Sequence, residues 1–161
     1  MVEQTERIVG VCSFLHGFLV VTGTADAIIS VDFTTEQIKE VQGVKEVAKA
    51  VKQLSEYANK RRTTFELNIQ PDVTPFFKEV YQELSKIPYG ELWTYKDIAY
   101  AIGRPKAARA VGMAMNKNPC MIIWPCHRVV GVNRKLVGFA GGIDFKVQLL
   151  EFEGVNLDGY R

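Results

Sequence analysis

The spacing of apolar residues changes character near residue 70, and this change constrains the fold more than any other feature of the chain. Before it, RIVGVCSFL, FLVVTGT and AIISVDFTT are rich in Val, Ile, Phe and Thr. They are separated by His16-Gly17 and by residues 23–26, breaks short enough for antiparallel hairpins. Val44, Val47, Ala48, Val51, Leu54 and Ala58 then recur at three- and four-residue intervals, which predicts an amphipathic helix over about 44–60. TTFELNIQ predicts a returning strand. After residue 70 the spacing is helical. The expected fold class is therefore α+β: a small N-terminal antiparallel sheet with a helix over residues 1–70, followed by a mostly helical C-terminal domain over residues 71–161.

The second half carries its own punctuation. NIQPDVT leads into a helix with Thr74 as N-cap and Pro75 at the first helical position, and Phe77, Val80, Tyr81, Leu84 and Ile87 mark its buried side. PYGE stops it. Thr94 and Asp97 form an S/T-x-x-D capping box at the start of a short helix whose apolar side is Ile98, Ala99 and Ile102. GRPK ends that helix, and AARAVGMAMN begins the next, giving the outline of a helix-turn-helix. Ala107, Ala108, Ala110, Gly112 and Ala114 leave the second helix thin, with Arg109 as its one long cation. Thinness suits either close approach to a groove or close helix-on-helix packing. A last helix is expected over about 144–153, burying Val147, Leu150 and Ile143.

Charge is uneven. The net formal charge is +2, yet between Thr94 and Lys135 eight cations face Asp97 alone, so this segment carries +7 and the remainder −5. A polyanion contacting the segment would explain this; so would a solvated basic face. No basic leader and no apolar run of about 18 residues is present, so neither export nor a membrane span is expected. Three cysteines without CxxC spacing argue against a disulfide framework and a Cys-rich zinc site.

IIWPCHRVVG sets Cys126 between a proline and a histidine. The thiol could be a packing residue, which is the reading for Cys12 and Cys120. It could be a metal ligand, although a fourth donor beyond Cys120, Cys126 and His127 is missing nearby, or half of a disulfide with Cys120. It could also be a nucleophile activated by His127, with a carboxylate orienting the imidazole. Spacing alone leaves all four open.

PCHRVVG followed by GFAGG, and preceded by GRPKAARAVGMAMNKNP, resembles the O6-alkylguanine-DNA alkyltransferases, also called methylated-DNA–protein-cysteine methyltransferases. The resemblance is dense from about Thr74 to Gly154. It implies a ribonuclease H-like N-terminal domain and a DNA-binding, alkyl-accepting C-terminal one. It makes Cys126 the alkyl acceptor, His127 its base acting through a water, and Glu153 the carboxylate that orients His127. Asn118 would brace the active-site turn, and Arg109 would enter the duplex stack where the damaged nucleotide is extruded. Tyr95 would line the guanine pocket and supply a proton.

DNA contact falls to Tyr95, Lys96, Arg104, Lys106, Ala107, Ala108 and Arg109, with Lys117 as a further phosphate contact. The substrate pocket falls to Met115, Trp124, Val129, Phe139 and Ala140. The implied partner of this monomer is double-stranded DNA carrying alkylated guanine, met through the minor groove, in the cytoplasm or, in a eukaryote, the nucleus. O4-alkylthymine is an expected second substrate. No metal or cofactor is expected, and each molecule acts once.

The chain departs from the family pattern in places. Phe139 stands where many members have tyrosine, Met121 where some have proline, and N-terminal zinc ligands are missing. Two other readings compete: a lesion sensor that binds without transfer, which would lack the acceptor cysteine, and a cysteine hydrolase, which would leave the basic segment unexplained.

Overall fold

The computed structural model describes residues 8–41, 45–136 and 142–160. Its contacts group the chain into two compact units, Met1–Asp72 and Val73–Arg161.

In the first unit β1 (Ile8–Phe14), β2 (Gly17–Gly23) and β3 (Ile28–Thr34) form an antiparallel meander in the order β1-β2-β3. The pleat sends Leu19 and Val21 of β2 inward, where they meet Val47, Ala50, Leu54 and Tyr57 of α1 (Lys45–Ala58). Gly10 lets this helix lie close on β1, because a Cβ there would stand 2.5 Å from Val51 Cγ2. The strand expected in TTFELNIQ does not form. Gln53, buried on α1, bonds the backbone of Glu66 in both directions, and only a single bridge, Ile28 to Ile69, reaches the sheet. A side chain has taken the backbone groups that a ladder would use. Cys12 is half-buried rather than a core residue, and Val44 lies outside the described residues.

In the second unit Thr74 caps α2 (Pro75–Leu84), its hydroxyl accepting from Phe77 N, with Pro75 opening the helix. Thr94 and Asp97 cap α3 (Tyr95–Ala101) reciprocally, at 3.1 and 2.7 Å. Gly103, at φ +74°, then ends α3 with paired bonds from Gly103 N to Tyr100 O and from Arg104 N to Ala99 O. The chain turns into α4 (Ala108–Asn116), completing the helix-turn-helix outline. The thin helix divides its small residues: Ala114 is in the core, Gly112 faces the Tyr95 ring, and Ala110 is exposed. Close packing thus accounts for Ala114 and Gly112, and Ala110 is left on the outward side.

Beyond α4, a two-stranded parallel pairing joins β4 (Trp93–Thr94) to β5 (Val129–Val130). The last helix, α5 (Ile143–Phe152), buries Phe145, Lys146, Leu149 and Leu150; Ile143, expected inside, is 47% exposed, and Val147 is only half-buried. The buried side of α5 is thus rotated from the one its apolar residues predict, because Lys146 occupies an inward position. Among the described residues, no helix is long and apolar enough to cross a membrane.

Candidate active site

Cys126 sits where four local devices converge. Pro125, at φ −79° and ψ 66°, is the centre of an inverse γ-turn closed by Cys126 N to Trp124 O at 2.8 Å. A single 3-10 turn, Cys126–Arg128, follows and runs into β5. Asn118 braces the preceding loop, donating from Nδ2 to Trp124 O (2.7 Å) and accepting at Oδ1 from Cys120 N (2.9 Å). These bonds span a β-branched residue, Ile122, held at φ +72°, a conformation that costs on the order of 1–3 kcal/mol and persists where its surroundings over-determine it. The β4–β5 pairing sets Thr94 opposite Val130, which brings the start of α3 and Tyr95 alongside the cysteine turn.

Behind the thiol lies a buried polar cluster. His127 Nε2 meets Glu153 Oε2 at 2.8 Å, with both side chains fully buried. Glu153 is the C-cap of α5 rather than part of its last turn. It is fixed there by a Schellman end: Gly154 N bonds Glu151 O, Val155 N bonds Leu150 O, Gly154 adopts φ +83°, and Val155 packs on the cluster that holds Leu150. Arg128, one of the cations of the basic segment, is 3% exposed and forked onto Glu153. Its planar donors match a carboxylate, so pairing removes it from any surface charge.

Lys146, which the sequence patterns do not single out, is also fully buried and donates to the Val129 carbonyl. Its signal was spacing: 146, 149, 150 and 153 share one side of α5, a stripe of two leucines flanked by Lys and Glu.

Burial pushes the Cys126 thiol up to about 11, against the pull of the Asn118 side chain and the Lys146 charge. Burial likewise lowers His127 despite its bond to Glu153, and lowers Lys146 to about 8 despite Cys126. Burial also opposes the charge on Glu153, but hydrogen bonds from His127 and Arg128 outweigh it and hold the carboxyl well below the usual range. Burial first, then Cys126, raises the Tyr95 phenol. The resting state is a neutral thiol beside a neutral imidazole. His127 Nδ1 is buried and has no hydrogen-bond partner, so with Nε2 directed at Glu153 it is the nitrogen left to accept a proton.

The remaining predicted residues fall into two sets. Met115 and Val129 are fully buried and Trp124 is nearly so, stacked on Tyr81 at 4.9 Å. Phe139 and Ala140 lie outside the described residues. Lys96, Arg104, Lys106, Arg109 and Lys117 are exposed, while Ala107 and Ala108 are half-buried. Arg104 is paired with Glu79 at 3.4 Å. Arg109, Ala110, Met113 and Asn116 of α4, with its C-cap Lys117, form the outward stripe. No group of three or more His, Cys, Asp or Glu able to hold a metal occurs among the described residues.

Residues 75–155 match the family described as 6-O-methylguanine DNA methyltransferase, DNA binding domain. The chain belongs to the methylated-DNA–protein-cysteine methyltransferase family. A curated methyltransferase of that name from Methanosarcina barkeri is 47% identical over 117 residues, 73% of this chain and 74% of that one. Among solved structures, Mycobacterium tuberculosis O6-methylguanine methyltransferase superposes with a TM-score of 0.80 at 35% identity, covering 92% of this chain and 93% of the other. The Mycobacterium tuberculosis OGT in complex with DNA does so at 0.76 and 38%, covering 89% and 90%. The methyltransferase match therefore extends across both units, whereas the sequence resemblance was dense only in the second.

Proposed function

We propose that this protein repairs DNA by transferring the alkyl group of O6-alkylguanine to Cys126, once per molecule. The observation that carries this reading is the buried 2.8 Å contact between His127 and Glu153, placed next in the chain to a buried cysteine and beside a helix-turn-helix.

The chemistry follows from the geometry. At pH 7 a thiol with a pKa near 11 is ionised in only about one molecule in ten thousand. The thiolate must therefore be made at the moment of attack. Glu153 orients His127, and Nδ1 takes the thiol proton through a water. The sulfur then attacks the alkyl carbon, the carbon–oxygen bond breaks, and its electron pair passes to guanine O6. The proton lost by the thiol is balanced by one gained by guanine, for which the Tyr95 hydroxyl is the nearby donor. The thioether has no reducible bond, so Cys126 is not regenerated.

Cys126 is 2% exposed, so a lesion stacked within a duplex cannot reach it, and the nucleotide must be extruded. The outward stripe of α4 would enter the minor groove, with Arg109 filling the vacated stack. Lys96, Lys106 and Lys117 would neutralise phosphates and make binding salt-dependent. A monomer suffices for this arrangement, and O4-alkylthymine presents a similarly placed alkyl carbon.

The test is incubation with a duplex containing O6-methylguanine labelled on the methyl group. One label per protein, on the Cys126 peptide and absent from Cys126→Ala, is the expected result. Restored guanine with unmodified Cys126 would overturn the reading, and tight lesion binding without transfer would make the protein a sensor.

A further inference from the structure

Arg128 stands out because the transfer reaction as described makes no use of it, although it is a buried cation in contact with the group that orients the base. Its guanidinium donates from Nε to Glu153 Oε1 at 2.8 Å, from Nη2 to Glu153 Oε2 at 3.0 Å and from Nη1 to the Ile87 carbonyl at 2.7 Å. It also lies 5.6 Å over the Tyr89 ring. The Ile87 and Tyr89 contacts anchor it to the turn after α2, so the carboxylate that orients His127 is held from two directions: by the end of α5 and, through Arg128, by that turn.

We infer that Arg128 is a positioning residue for alkyl transfer: it fixes Glu153 so that Oε2 meets His127 Nε2, and its charge keeps His127 in the neutral, proton-accepting form. This rests on the reaction proposed above. The geometric half is direct, since a fork bound to both carboxylate oxygens prevents rotation about the last bond of Glu153. The electrostatic half follows from sharing. A carboxylate 2.8 Å from an imidazole favours imidazolium, and a guanidinium on the same two oxygens offsets that pull.

The other charged group acting on His127 is Lys146, which disfavours imidazolium, and Cys126, its neighbour in the chain, favours imidazolium once ionised. Tyr89, in contact with the Arg128 guanidinium, is an uncharged phenol. Removing the Arg128 charge leaves only burial and Lys146 to oppose Glu153, so His127 takes a proton at higher pH, and a His127 already protonated cannot receive the Cys126 proton.

The test is the pH profile of single-turnover transfer for wild type, Arg128→Met and Arg128→Lys, with His127 followed in parallel by 15N NMR. Arg128→Met is expected to lower the plateau rate and to move the acid limb, and the His127 titration, up by about one pH unit or more. Arg128→Lys keeps the charge without the fork, so its limb should stay with wild type while its plateau falls. An acid limb that is unmoved or moves down in folded Arg128→Met overturns the inference. If Arg128→Met does not fold, Arg128→Lys decides: a wild-type plateau overturns the positioning role, and a lowered plateau on an unmoved limb supports it. A wild type that never alkylates Cys126 would instead defeat the proposed function itself.

Discussion

Glu153 concentrates the electrostatics of the site, because one carboxylate receives His127 on one oxygen and the Arg128 fork on both. Truncating it removes the partner of a guanidinium that is 3% exposed, and an unpaired buried charge costs about 3–5 kcal/mol. Glu153→Ala should therefore lose stability on that scale in urea unfolding, and a loss under about 1 kcal/mol would mean that water solvates Arg128 in the variant. Sequence reading reached Cys126, His127, Asn118 and Glu153 because motif and resemblance name them. Arg128 enters that reading only as one of the cations of the basic segment, because charge runs carry no information about burial. Lys146 went unnoticed for the converse reason, since a lone lysine among apolar helix positions reads as a solvated end until the partner of its amine is known.

Elements were legible wherever the signal was local. Both capped helix starts in the second unit, Thr74–Pro75 and Thr94 with Asp97, follow from short-range hydrogen bonds written in adjacent residues. The absent strand in TTFELNIQ depended on Gln53, thirteen residues before Glu66, which no local pattern could reveal. The end of α5 belongs to the local class and makes a sharp prediction. Gly154 holds φ +83°, and a methyl there would meet nothing within 4 Å, so Gly154→Ala isolates backbone strain from crowding. The left-handed conformation costs a residue with a Cβ roughly 1–2 kcal/mol, and the Schellman bonds that set Glu153 in place share that strain. The variant should lose about that much stability and transfer more slowly, with DNA affinity unchanged. Unaltered transfer in a destabilised variant would show that Glu153 holds its place through Arg128 alone.

At the scale of the molecule, the buried cluster should write itself into the dependence of stability on pH. Glu153 is held below its ordinary range, so its contribution is present above about 4.5 and is lost as pH falls through the carboxylate range. His127 is lowered from 6.5 by burial, and the unfolded chain binds its proton first, so acidification below 6.5 costs stability in the same direction. On the alkaline side two groups oppose. Lys146, lowered from 10.5 to about 8, adds stability as pH rises between those values. Cys126, raised from 9.0 to about 11, removes it between those values. Wild type should therefore weaken in acid, gain stability from about pH 8 to pH 9 where Lys146 acts alone, and stay nearly level from about pH 9 to pH 10.5 where the two groups cancel. Cys126→Ala deletes the opposing group and also the charge that supports Lys146, so its urea midpoint should climb over the same alkaline range. Methylated protein, whose thiol no longer titrates, should climb with it; flat alkaline curves for Cys126→Ala and methylated protein would mean that Lys146 does not titrate in this window and is solvated in solution.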